Sequence, residues 1–539
     1  MRSPVVVRNR RRVLCVFPRY APSFGTFSHA LRLVGAKAFM PPQGLLLIAN
    51  YLPSCWSVRF VDENMTRATA ADFAWADVVF VTGMHIQAAQ IHDIRDRARA
   101  AGKVTALGGP SVSAAPECYP DYDYLHIGEL GDATDRLIER LDETIVAPPE
   151  PLCFTTQKRL PMADFPLPAY DRIRLDRYLL GTLQFSSGCP YRCEFCDIPH
   201  LYGRQPRLKS PEQLMAELDF ILSQKTYPAS IYFVDDNFIG NRKATREMLP
   251  HLVAWQKRNG YPVSFSCEAT LNIARQADIL ALMREARFDA VFLGIETPEL
   301  EALRAIHKEQ NASLPMIEAI QTINGYGLEV ASGIILGLDS DTVRTETHLN
   351  EFVERSQIPM LTINLLQALP KTPLWNRLAR DGRLVQDSSR ESNVRFLRPY
   401  EDVVATWRRC IAYAYDPERL YARFLHQVRN TYVHRLAVPG SGRLTRSNIK
   451  RGATLMFNLL LRVGMLADYR RPFWRVAWEA LKRGQIESLL SVGFISHHLI
   501  EFSREALRGD QNASFYSARA RETYEQVKPV SNGAMRRSG

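Results

Sequence analysis

Three cysteines in one short run are the residues of this chain best suited to chemistry. Cys189, Cys193 and Cys196 have the spacing C-x3-C-x2-C. Thiolates are soft ligands, and a closely spaced set suits an iron–sulfur cluster. No fourth cysteine lies nearby in the sequence, so a four-iron cluster held by these three would keep one iron open to a substrate or cofactor. The alternative is a zinc site that needs a fourth ligand, for which His200 is a candidate.

The sequence around these cysteines resembles the signature of the radical S-adenosylmethionine (radical SAM) superfamily. The family pattern is C-x3-C-x-aromatic-C, and Phe195 supplies the aromatic residue before the last cysteine. The resemblance implies a [4Fe–4S] cluster on Cys189, Cys193 and Cys196, with SAM chelated by the open iron. It also implies that Phe195 contributes to SAM binding, and it argues against zinc.

Length and composition describe a globular protein of several domains. The chain has 539 residues, of which 46% are hydrophobic and 23% charged, so about two to four domains are expected. Nine cysteines in a chain of this length do not form a disulfide framework and fit a reducing cytoplasm. No apolar run reaches the ~20 residues needed to cross a bilayer.

The net charge of +11 is unevenly placed along the chain. Residues 1–400 contain 45 basic and 45 acidic side chains, whereas residues 401–539 contain 23 basic and 12 acidic ones. A basic C-terminal region is suited to nucleic acid or to an anionic membrane surface. No recognised RNA-binding module is visible, so nucleic acid is not expected as a partner.

Residues 1–150 are predicted to form a doubly wound α/β domain. Five apolar runs indicate buried parallel strands with helical segments between them. These runs are 13–17, 56–62, 77–82, 103–107 and 124–127. Ligands of such sheets bind beyond the carboxyl ends of the strands. The first strand is not followed by G-x-G-x-x-G, which argues against a dinucleotide site.

This pattern resembles the cobalamin-binding domain that often precedes a radical SAM domain. Gly-Gly-Pro after the fourth strand and Gly-Glu after the fifth are typical of it. The resemblance implies a cobalamin site lined by Thr82, Gly83, Gly108, Gly109, Gly128 and Glu129. The D-x-H-x-x-G motif, whose histidine ligates cobalt from below, is absent. His29 and His85 are the nearest candidates, and simple packing at the sheet edge is favoured for His85.

Residues 151–180 are predicted to be a linker because prolines crowd the segment. Residues 181–385 then repeat apolar strands with helices between them, and Ser210 is expected to cap the helix that begins near Pro211. The six predicted strands are 181–185, 230–234, 263–268, 290–296, 329–337 and 360–366. Six β/α units over about 200 residues predict a partial (β/α)6 barrel with its site at the carboxyl ends of the strands.

Several strand ends of this barrel resemble radical SAM motifs by position. Asp235 and Asp236 stand where related enzymes place Gly-Gly-Glu, which receives the SAM amino group. Glu296 resembles the fourth-strand glutamate near SAM. The alternative for each acid is a cap of the following helix, and that alternative is favoured for Glu268.

Two further segments carry the same resemblance. Gly333 and Gly337 resemble the fifth-strand motif that packs against adenine, so both are implied to contribute to SAM binding. Lys371 takes the place of a glycine in a Pro-Gly-Thr-Pro segment that follows the sixth strand in the family.

Residues 386–539 are predicted to form a basic helical domain. The segment 470–483 is expected to be a helix that places four residues on one face: Trp474, Ala477, Trp478 and Leu481. A basic amphipathic helix with tryptophan is suited to a membrane interface. An ordinary helix packed on the barrel, with its charged face in water, fits the same pattern.

The order of a cobalamin-like domain, a radical SAM domain and a helical extension resembles the cobalamin-dependent radical SAM methyltransferases. The implied mechanism uses two SAM molecules. One methylates the cobalt to give methylcobalamin, and the other yields a 5′-deoxyadenosyl radical that removes hydrogen from an unreactive carbon. Segments such as 39–44, 61–64 and 196–204 resemble the hopanoid C-2 methylase branch, which implies methylation at C-2 of a hopanoid lipid.

Other functions stay open from the sequence. Another B12-dependent radical SAM enzyme, such as a natural-product methylase or a ring cyclase, shares nearly every motif, and a non-catalytic cobalamin or cluster sensor is a further alternative. The implied partners are a small lipid substrate and a reductase, flavodoxin or ferredoxin as electron donor. The expected location is the cytoplasm, with peripheral binding to the inner face of the cytoplasmic membrane as an open question.

Overall fold

The structure is a computed structural model that describes residues 5–20, 22–385, 387, 390–437 and 446–508. Two six-stranded parallel sheets form its centre, and helices surround both. The predicted α/β class, with two parallel sheets followed by a helical region, is confirmed. The prediction for residues 509–539 lies outside the described part of the chain.

The first sheet has the strand order β2-β1-β3-β4-β5-β6, and every pair is parallel. The strands are β1 Arg12–Phe17, β2 Ser57–Asp62, β3 Val78–Thr82, β4 Val104–Gly108, β5 Tyr124–Ile127 and β6 Leu152–Thr155. In β1, Val13 and Cys15 pack into one hydrophobic core, and Leu14 and Val16 pack into another. Burial on both faces explains why this strand is an uninterrupted apolar run.

Six helices flank the first sheet: α1 Ser28–Val34, α2 Gln43–Tyr51, α3 Ala70–Trp75, α4 Ala88–Ala100, α5 Pro110–Ala114 and α6 Asp132–Glu143. Strand β6 lies in the segment predicted to be a linker. It pairs with β5, with Leu152 opposite Tyr124 and Thr155 opposite Ile127, and so adds a sixth strand to the five expected. Four residues among prolines carry little pattern of their own, because pairing with a neighbour defines such a strand.

The second sheet has the order β14-β13-β12-β11-β10-β7, again all parallel. Its strands are β7 Gly181–Leu183, β10 Ser230–Phe233, β11 Ser264–Ala269, β12 Phe288–Glu296, β13 Glu329–Leu336 and β14 Leu361–Leu365. Strands β7 and β14 are its two edges and, within the described residues, do not pair with each other, so this barrel is partial. A small antiparallel pair, β8 Ser186–Ser187 and β9 Arg207–Leu208, lies beside it.

Nine helices accompany this sheet: α7 Ile198–Leu201, α8 Pro211–Ser223, α9 Arg242–Arg258, α10 Ala277–Glu285, α11 Leu300–Ala305, α12 Glu309–Ala312, α13 Met316–Gly325, α14 Thr345–Ser356 and α15 Pro373–Arg380. The predicted N-cap of α8 is confirmed, because the Ser210 side chain accepts a hydrogen bond from the backbone N–H of Gln213 at 3.2 Å. These helices follow strands in regular alternation, which directs all six strand ends to one side of the barrel.

The C-terminal region packs on the second sheet and on the segment around α1. It comprises α16 Tyr400–Ala414, α17 Pro417–Asn430, α18 Arg446–Leu459, a π-helical segment Leu460–Leu466, α19 Arg470–Lys482 and α20 Ile486–Arg508. Trp407 Nε1 in α16 donates to the carbonyl of Ile363 in β14 at 2.8 Å. His498 Nε2 in α20 lies 3.1 Å from the Phe24 carbonyl oxygen, ahead of α1.

The buried face of α19 is not the apolar face predicted from the sequence. Ala477 is buried together with Phe473 and Val476, whereas Trp478 and Leu481 are exposed. The inward face is therefore centred on Phe473, and the tryptophan-bearing row lies toward the outside. Among the described helices, none combines the length and the apolar character needed to cross a bilayer.

Candidate active site between the two sheets

The carboxyl ends of the two sheets face each other. Ser187 Oγ, ahead of the first cysteine of the loop, donates a hydrogen bond to Glu129 Oε1, after β5, at 3.1 Å. His85 Nε2, after β3, lies 4.0 Å from Asp197 Oδ2, directly after the last cysteine. Sheets of both kinds bind ligands beyond these strand ends. Ligands of the two sheets would therefore meet in one shared site.

The thiols of Cys189, Cys193 and Cys196 lie on the loop between β8 and α7, partly buried and outside any disulfide. Within the described residues, no three His, Cys, Asp or Glu side chains converge closely enough to hold a single metal ion. Each cysteine of an iron–sulfur cluster binds a different iron, so its three thiols need not converge on one point. Burial raises the pKa of Cys196, and nearby Asp197, Cys193 and Cys189 raise it further. Such thiols fit a cationic cluster, which stabilises the thiolate.

Asp235 and Asp236 hold the chain that leads into the cysteine loop. The Asp235 carboxylate accepts hydrogen bonds from the backbone N–H of Phe185, at 3.0 Å, and from the N–H and hydroxyl of Ser186. Asp236 Oδ2 accepts one from the Gly188 N–H at 2.7 Å. Burial raises the pKa of Asp235 to about 6 and that of Asp236 to about 7. Asp235 therefore supports the loop, and the predicted SAM contact is better suited to the more accessible Asp236.

Glu194 anchors the middle of the cysteine loop to the barrel. Its carboxylate accepts hydrogen bonds from Arg377 of α15, at 2.6 Å from Nε and 3.1 Å from Nη2. Its backbone N–H donates to the Ile306 carbonyl at 3.1 Å. The segment between Cys193 and Cys196 is thus held from two sides, which fixes the spacing of these thiols. The sequence prediction missed Arg377, which is 183 residues away along the chain.

Two amide side chains that the sequence prediction missed approach the thiols. Asn237 Nδ2 lies 4.0 Å from Cys189 Sγ, and Gln310 Nε2 lies 3.5 Å from Cys193 Sγ. Hydrogen bonds to the sulfur ligands are one way in which a protein tunes an iron–sulfur cluster. Asn237 stands at a strand end, directly after the two aspartates, and that position was a usable signal. Gln310 has no comparable signal in the sequence.

Glu296 forms a buried ion pair with Lys308. Lys308 Nζ also lies 5.6 Å from the centre of the Phe195 ring, so it connects the end of β12 with the cysteine loop. A Cβ at Gly294 would lie 2.7 Å from Lys308 Nζ, which shows that glycine makes room for the pair. Glu296 itself has a left-handed φ of 68°, a strained backbone of the kind found at functional sites. Lys308 does not lie at the end of a strand, so its position in the sequence did not mark it as a site residue.

Glu268 lies near the carboxyl end of β11. Its side chain is exposed and accepts a hydrogen bond from the Tyr232 hydroxyl at 3.0 Å. Desolvation by the surrounding protein raises the pKa of Glu268, and the negative charges of Asp235 and Glu296 raise it further. A positive group bound beside Glu268 and Asp236 would favour their charged forms, and the sulfonium and amino groups of SAM are positive.

The two glycines predicted to contact adenine differ in the space around them. Gly337 has a left-handed φ of 91°, and a side chain there would overlap the Phe396 ring. Its N–H donates to Asp341 Oδ2 at 2.6 Å, so it serves a turn after β13. At Gly333 a Cβ would come no closer than 3.5 Å to Phe292 and Thr362. The surroundings of Gly333 therefore leave ordinary van der Waals contact distances, whereas Phe396 fills the space at Gly337.

Lys371 joins the end of the barrel to the first sheet. Its φ is 64°, a left-handed value that explains why the family pattern has glycine at this position. Its Nζ donates to the Ser113 carbonyl, in α5, at 3.3 Å. This contact adds a third place where the two carboxyl edges meet.

The first sheet presents an edge with few side chains. Thr82 and Gly83 follow one another at the end of β3, and Gly108 and Gly109 do so at the end of β4. Gly109 has a left-handed φ of 95°, and a side chain there would overlap Thr82 Oγ1. Glycine therefore lets neighbouring strand ends approach. A large planar ligand such as a corrin fits an edge of this kind.

The residues predicted after β5 are engaged with other protein groups. Gly128 has a left-handed φ of 101°, and its N–H donates to Ser113 Oγ at 2.9 Å. Glu129 accepts hydrogen bonds from Arg207 Nη2 at 2.7 and 2.6 Å, and Arg159 Nε lies 3.2 Å from its carboxylate. The structure thus gives Glu129 a role between the sheets, where a direct contact with cobalamin would compete with two arginines.

The two histidines proposed for cobalt lie in different places. His29 Nε2 is 3.2 Å from Glu505 in α20, away from the strand ends. His85 lies at the shared site, with its Nδ1 3.3 Å from Ser111 Oγ. Burial lowers the pKa of His85 to about 4, so its imidazole is neutral at pH 7. Of the two, only His85 has a position from which it could face a corrin bound at this edge.

Comparison with known proteins agrees with this arrangement. Residues 183–352 match the family model of the radical SAM superfamily, and residues 372–512 match a domain of unknown function, DUF4070. The hopanoid C-2 methylase of Rhodopseudomonas palustris (strain TIE-1) is 58% identical over 513 residues, which cover 95% of this chain and 97% of that protein.

Two solved structures share the fold. OxsB, a cobalamin-dependent S-adenosylmethionine radical enzyme with aqua-cobalamin and SAM bound, has a TM-score of 0.56 at 15% identity, covering 96% of this chain and 83% of OxsB. The radical SAM methyltransferase TsrM from Kitasatospora setae, with cobalamin and a [4Fe–4S] cluster bound, has a TM-score of 0.55 at 14% identity, covering 92% of this chain and 100% of TsrM. The chain therefore belongs to the radical SAM superfamily, in the family of the hopanoid C-2 methylase.

Proposed function

We propose that this protein is a radical SAM methyltransferase that adds a methyl group to C-2 of a hopanoid lipid. The observation that carries the proposal is the 58% identity, over nearly the whole of both chains, to a protein named for that reaction. Hopanoids are saturated triterpenoids whose ring carbons carry no acidic proton. Methylation at such a carbon calls for radical chemistry, which a cysteine loop facing a second ligand-binding edge would suit.

The cofactors are a [4Fe–4S] cluster, SAM and cobalamin. When bound, the cluster and SAM would supply radical chemistry, and cobalamin would supply the methyl group. Cys189, Cys193 and Cys196 would hold the cluster. Asn237 and Gln310 would donate hydrogen bonds to two of these ligands and so stabilise the more negative, reduced state.

The other residues of the site would bind and orient. Asp236, Glu268 and Glu296 would attract the positive groups of SAM, and Lys308 would keep Glu296 in place. The strand ends at Thr82–Gly83 and Gly108–Gly109 would receive the corrin. The contacts between the two edges would then set the separation of the ligands, since reacting groups must meet in a fixed geometry.

We propose the same domains that the sequence predicts, with one boundary moved. We place the cobalamin-binding unit through Thr155, because β6 completes its sheet. The connector then runs to residue 180, the radical SAM unit covers 181–385, and the basic helical unit begins at 386.

The partners follow from the same chemistry. A reductase, flavodoxin or ferredoxin would reduce the cluster before each SAM cleavage. The lipid substrate resides in a bilayer, so we place the protein in the cytoplasm with peripheral contact to the inner face of the cytoplasmic membrane. No nucleic acid is part of this reaction.

The test is methylation by the reconstituted protein under anaerobic conditions. SAM, cobalamin, a chemical reductant and a hopanoid in detergent micelles are supplied, and the lipids are analysed by mass spectrometry and NMR. We expect a hopanoid with one new methyl group at C-2, and none with the Cys196→Ala variant. A methyl group on another carbon, or a ring-closed product without a new methyl, would contradict the proposal. Absence of 5′-deoxyadenosine would instead favour a sensor.

A further inference from the structure

The C-terminal helices expose a concentration of large apolar side chains. Thirteen large hydrophobic residues are exposed among the described residues. Six of them lie on α18, the π-helical segment and α19, and we call these six the apolar patch: Phe457, Leu461, Met465, Leu466, Trp478 and Leu481. Single exposed apolar residues are ordinary, whereas contiguous groups mark interaction sites.

Two rows of this patch adjoin each other. Phe457, Leu461 and Met465 are four residues apart, the spacing of neighbours on one side of a helix. Trp474 links this row to α19, because its Nε1 donates to the Gly464 carbonyl at 2.8 Å. Its ring centre lies 6.0 Å from that of Trp478. The apolar patch therefore extends without a break from α18 and the π-helical segment onto α19, which packs beside them.

Packing within the protein does not account for the apolar patch. The inward side of α19 is complete without it, since Phe473, Val476 and Ala477 are all buried. By contrast, Leu466 is 72% and Trp478 is 59% exposed. Side chains of this size are costly in water because each exposes a large apolar surface. Their placement is explained by a partner that covers them.

The charges around the apolar patch indicate what that partner is. Residues 457–486 contain six basic side chains, which are Arg462, Arg470, Arg471, Arg475, Lys482 and Arg483, and two acidic ones. Asp468 pairs with Arg504 at 2.8 Å, Glu479 pairs with Arg483 at 3.0 Å, and Arg475 pairs with Glu418 at 3.3 Å. The positive charge of the rim is therefore carried by Arg462, Arg470, Arg471 and Lys482. An apolar surface with tryptophan and a cationic rim matches the interface of an anionic bilayer.

We propose that the apolar patch docks the protein on an anionic lipid bilayer, with Leu466 and Trp478 inserted at the boundary between headgroups and acyl chains. The proposal rests on the proposed function to the extent that a hopanoid substrate resides in such a bilayer. A second copy of the chain is a poorer occupant, because two cationic rims would repel each other. Docking by this surface would bring the C-terminal helices, which contact β14 of the barrel and α1, against the lipid source.

The test is flotation of the full-length holoprotein with lipid vesicles. One set of vesicles is pure phosphatidylcholine, and the other contains about one-third phosphatidylglycerol, an anionic lipid. We expect binding to the anionic vesicles, weaker binding at high salt, and a blue shift of tryptophan fluorescence on binding. We expect the triple variant Met465→Ser, Leu466→Ser, Trp478→Ser to lose at least about tenfold in vesicle affinity.

Matched controls separate the apolar patch from general surface changes. Val343→Ser and Leu397→Ser remove exposed apolar side chains elsewhere and should leave binding unchanged. Arg471→Gln with Lys482→Gln should weaken binding to anionic vesicles, while Lys225→Gln with Lys243→Gln, which remove the same charge from other exposed sites, should not. Circular dichroism and cluster content of each variant establish that it is folded.

Three results would overturn the proposal. The wild type fails to bind anionic vesicles, the triple variant binds them as tightly as the wild type, or the wild type forms a dimer that the triple variant abolishes. Methylation of a hopanoid in detergent micelles is measured in parallel. A wild-type protein that methylates the hopanoid but does not bind anionic vesicles refutes only the docking surface, whereas a wild-type protein that binds these vesicles but does not methylate the hopanoid refutes only the proposed function.

Discussion

The carboxylate of Glu129 accepts two hydrogen bonds from Arg207 Nη2, at 2.7 and 2.6 Å, across the boundary between the two sheets. Arg159 and Ser187 join the same carboxylate at 3.2 and 3.1 Å. Ser187 is two residues ahead of Cys189, so the edge of the first sheet is tied directly to the cysteine loop. These contacts hold the two proposed cofactor sites at a fixed distance from each other.

Removing Arg207 should therefore loosen the boundary between the sheets. In Arg207→Met we expect the free energy of unfolding to fall by about 2 kcal/mol, because a partly buried carboxylate loses its principal donor. Cobalamin affinity should fall as well, measured by equilibrium dialysis with the cluster intact. The matched control is Glu301→Gln, which breaks an exposed pair with Arg304 and should change stability by less than about 0.5 kcal/mol. Equal effects of the two substitutions would contradict a special role for Glu129.

Substitutions at the Glu296–Lys308 ion pair should distinguish a structural role of the pair from a role in binding SAM. Either Glu296→Gln or Lys308→Met alone leaves a buried charge without its partner, so each should lower the free energy of unfolding by about 3 kcal/mol. The double variant should recover much of this stability. If Glu296 contacts SAM, the double variant should bind SAM more weakly than the wild type does in equilibrium dialysis, even though its stability is recovered. Full recovery of SAM binding in the double variant would assign the pair to structure alone.

The strands were predictable because their signal is local. Val13 to Phe17 is a run of apolar residues buried on both faces, and the same pattern identified all six strands of the second sheet. The positions of Asp236 and Glu296 at strand ends followed from this alternation of strands and helices.

The partners of the site residues were not predictable, because they depend on tertiary contacts. Arg207 meets Glu129 from 78 residues away, and nothing in either local sequence marks the pair. Trp478 illustrates the other limit. Helical spacing shows which residues of 470–483 share a face, but only packing decides that Phe473 lies inside and Trp478 outside.

The three cysteines of the loop should be individually required for the cluster. After anaerobic reconstitution we expect about four irons per chain in the wild type and a large loss in Cys196→Ala, since the cluster would lose one of its three thiolate ligands. Cys55→Ala removes an exposed cysteine outside the loop and should retain the full iron content. Iron and sulfide assays measure the result. A cluster that survives in Cys196→Ala would show that this residue is not a ligand.

His498 should make the stability of the C-terminal helices depend on pH. Burial lowers the pKa of His498 to about 3, with like charge from His29 and His497 adding to the shift. The unfolded chain then binds the proton more readily, so stability is present above pH ~6.5 and falls as the pH drops toward 3, by up to about 1.4 kcal/mol per unit. His498→Gln should show a shallower slope in urea unfolding between pH 6.5 and 4, while the exposed control His251→Gln should match the wild type. Equal slopes for all three proteins would contradict this.

The most direct test of the proposed function follows one hydrogen atom. The reconstituted enzyme is given a hopanoid in which both hydrogen atoms at C-2 are replaced by deuterium, and 5′-deoxyadenosine is isolated and analysed by mass spectrometry. We predict one deuterium in the 5′-deoxyadenosine, in proportion to the 2-methylhopanoid formed, because the radical made at the cysteine loop removes the atom that the methyl group replaces. Methylated product accompanied by unlabelled 5′-deoxyadenosine, or labelled 5′-deoxyadenosine without methylated product, would contradict the account.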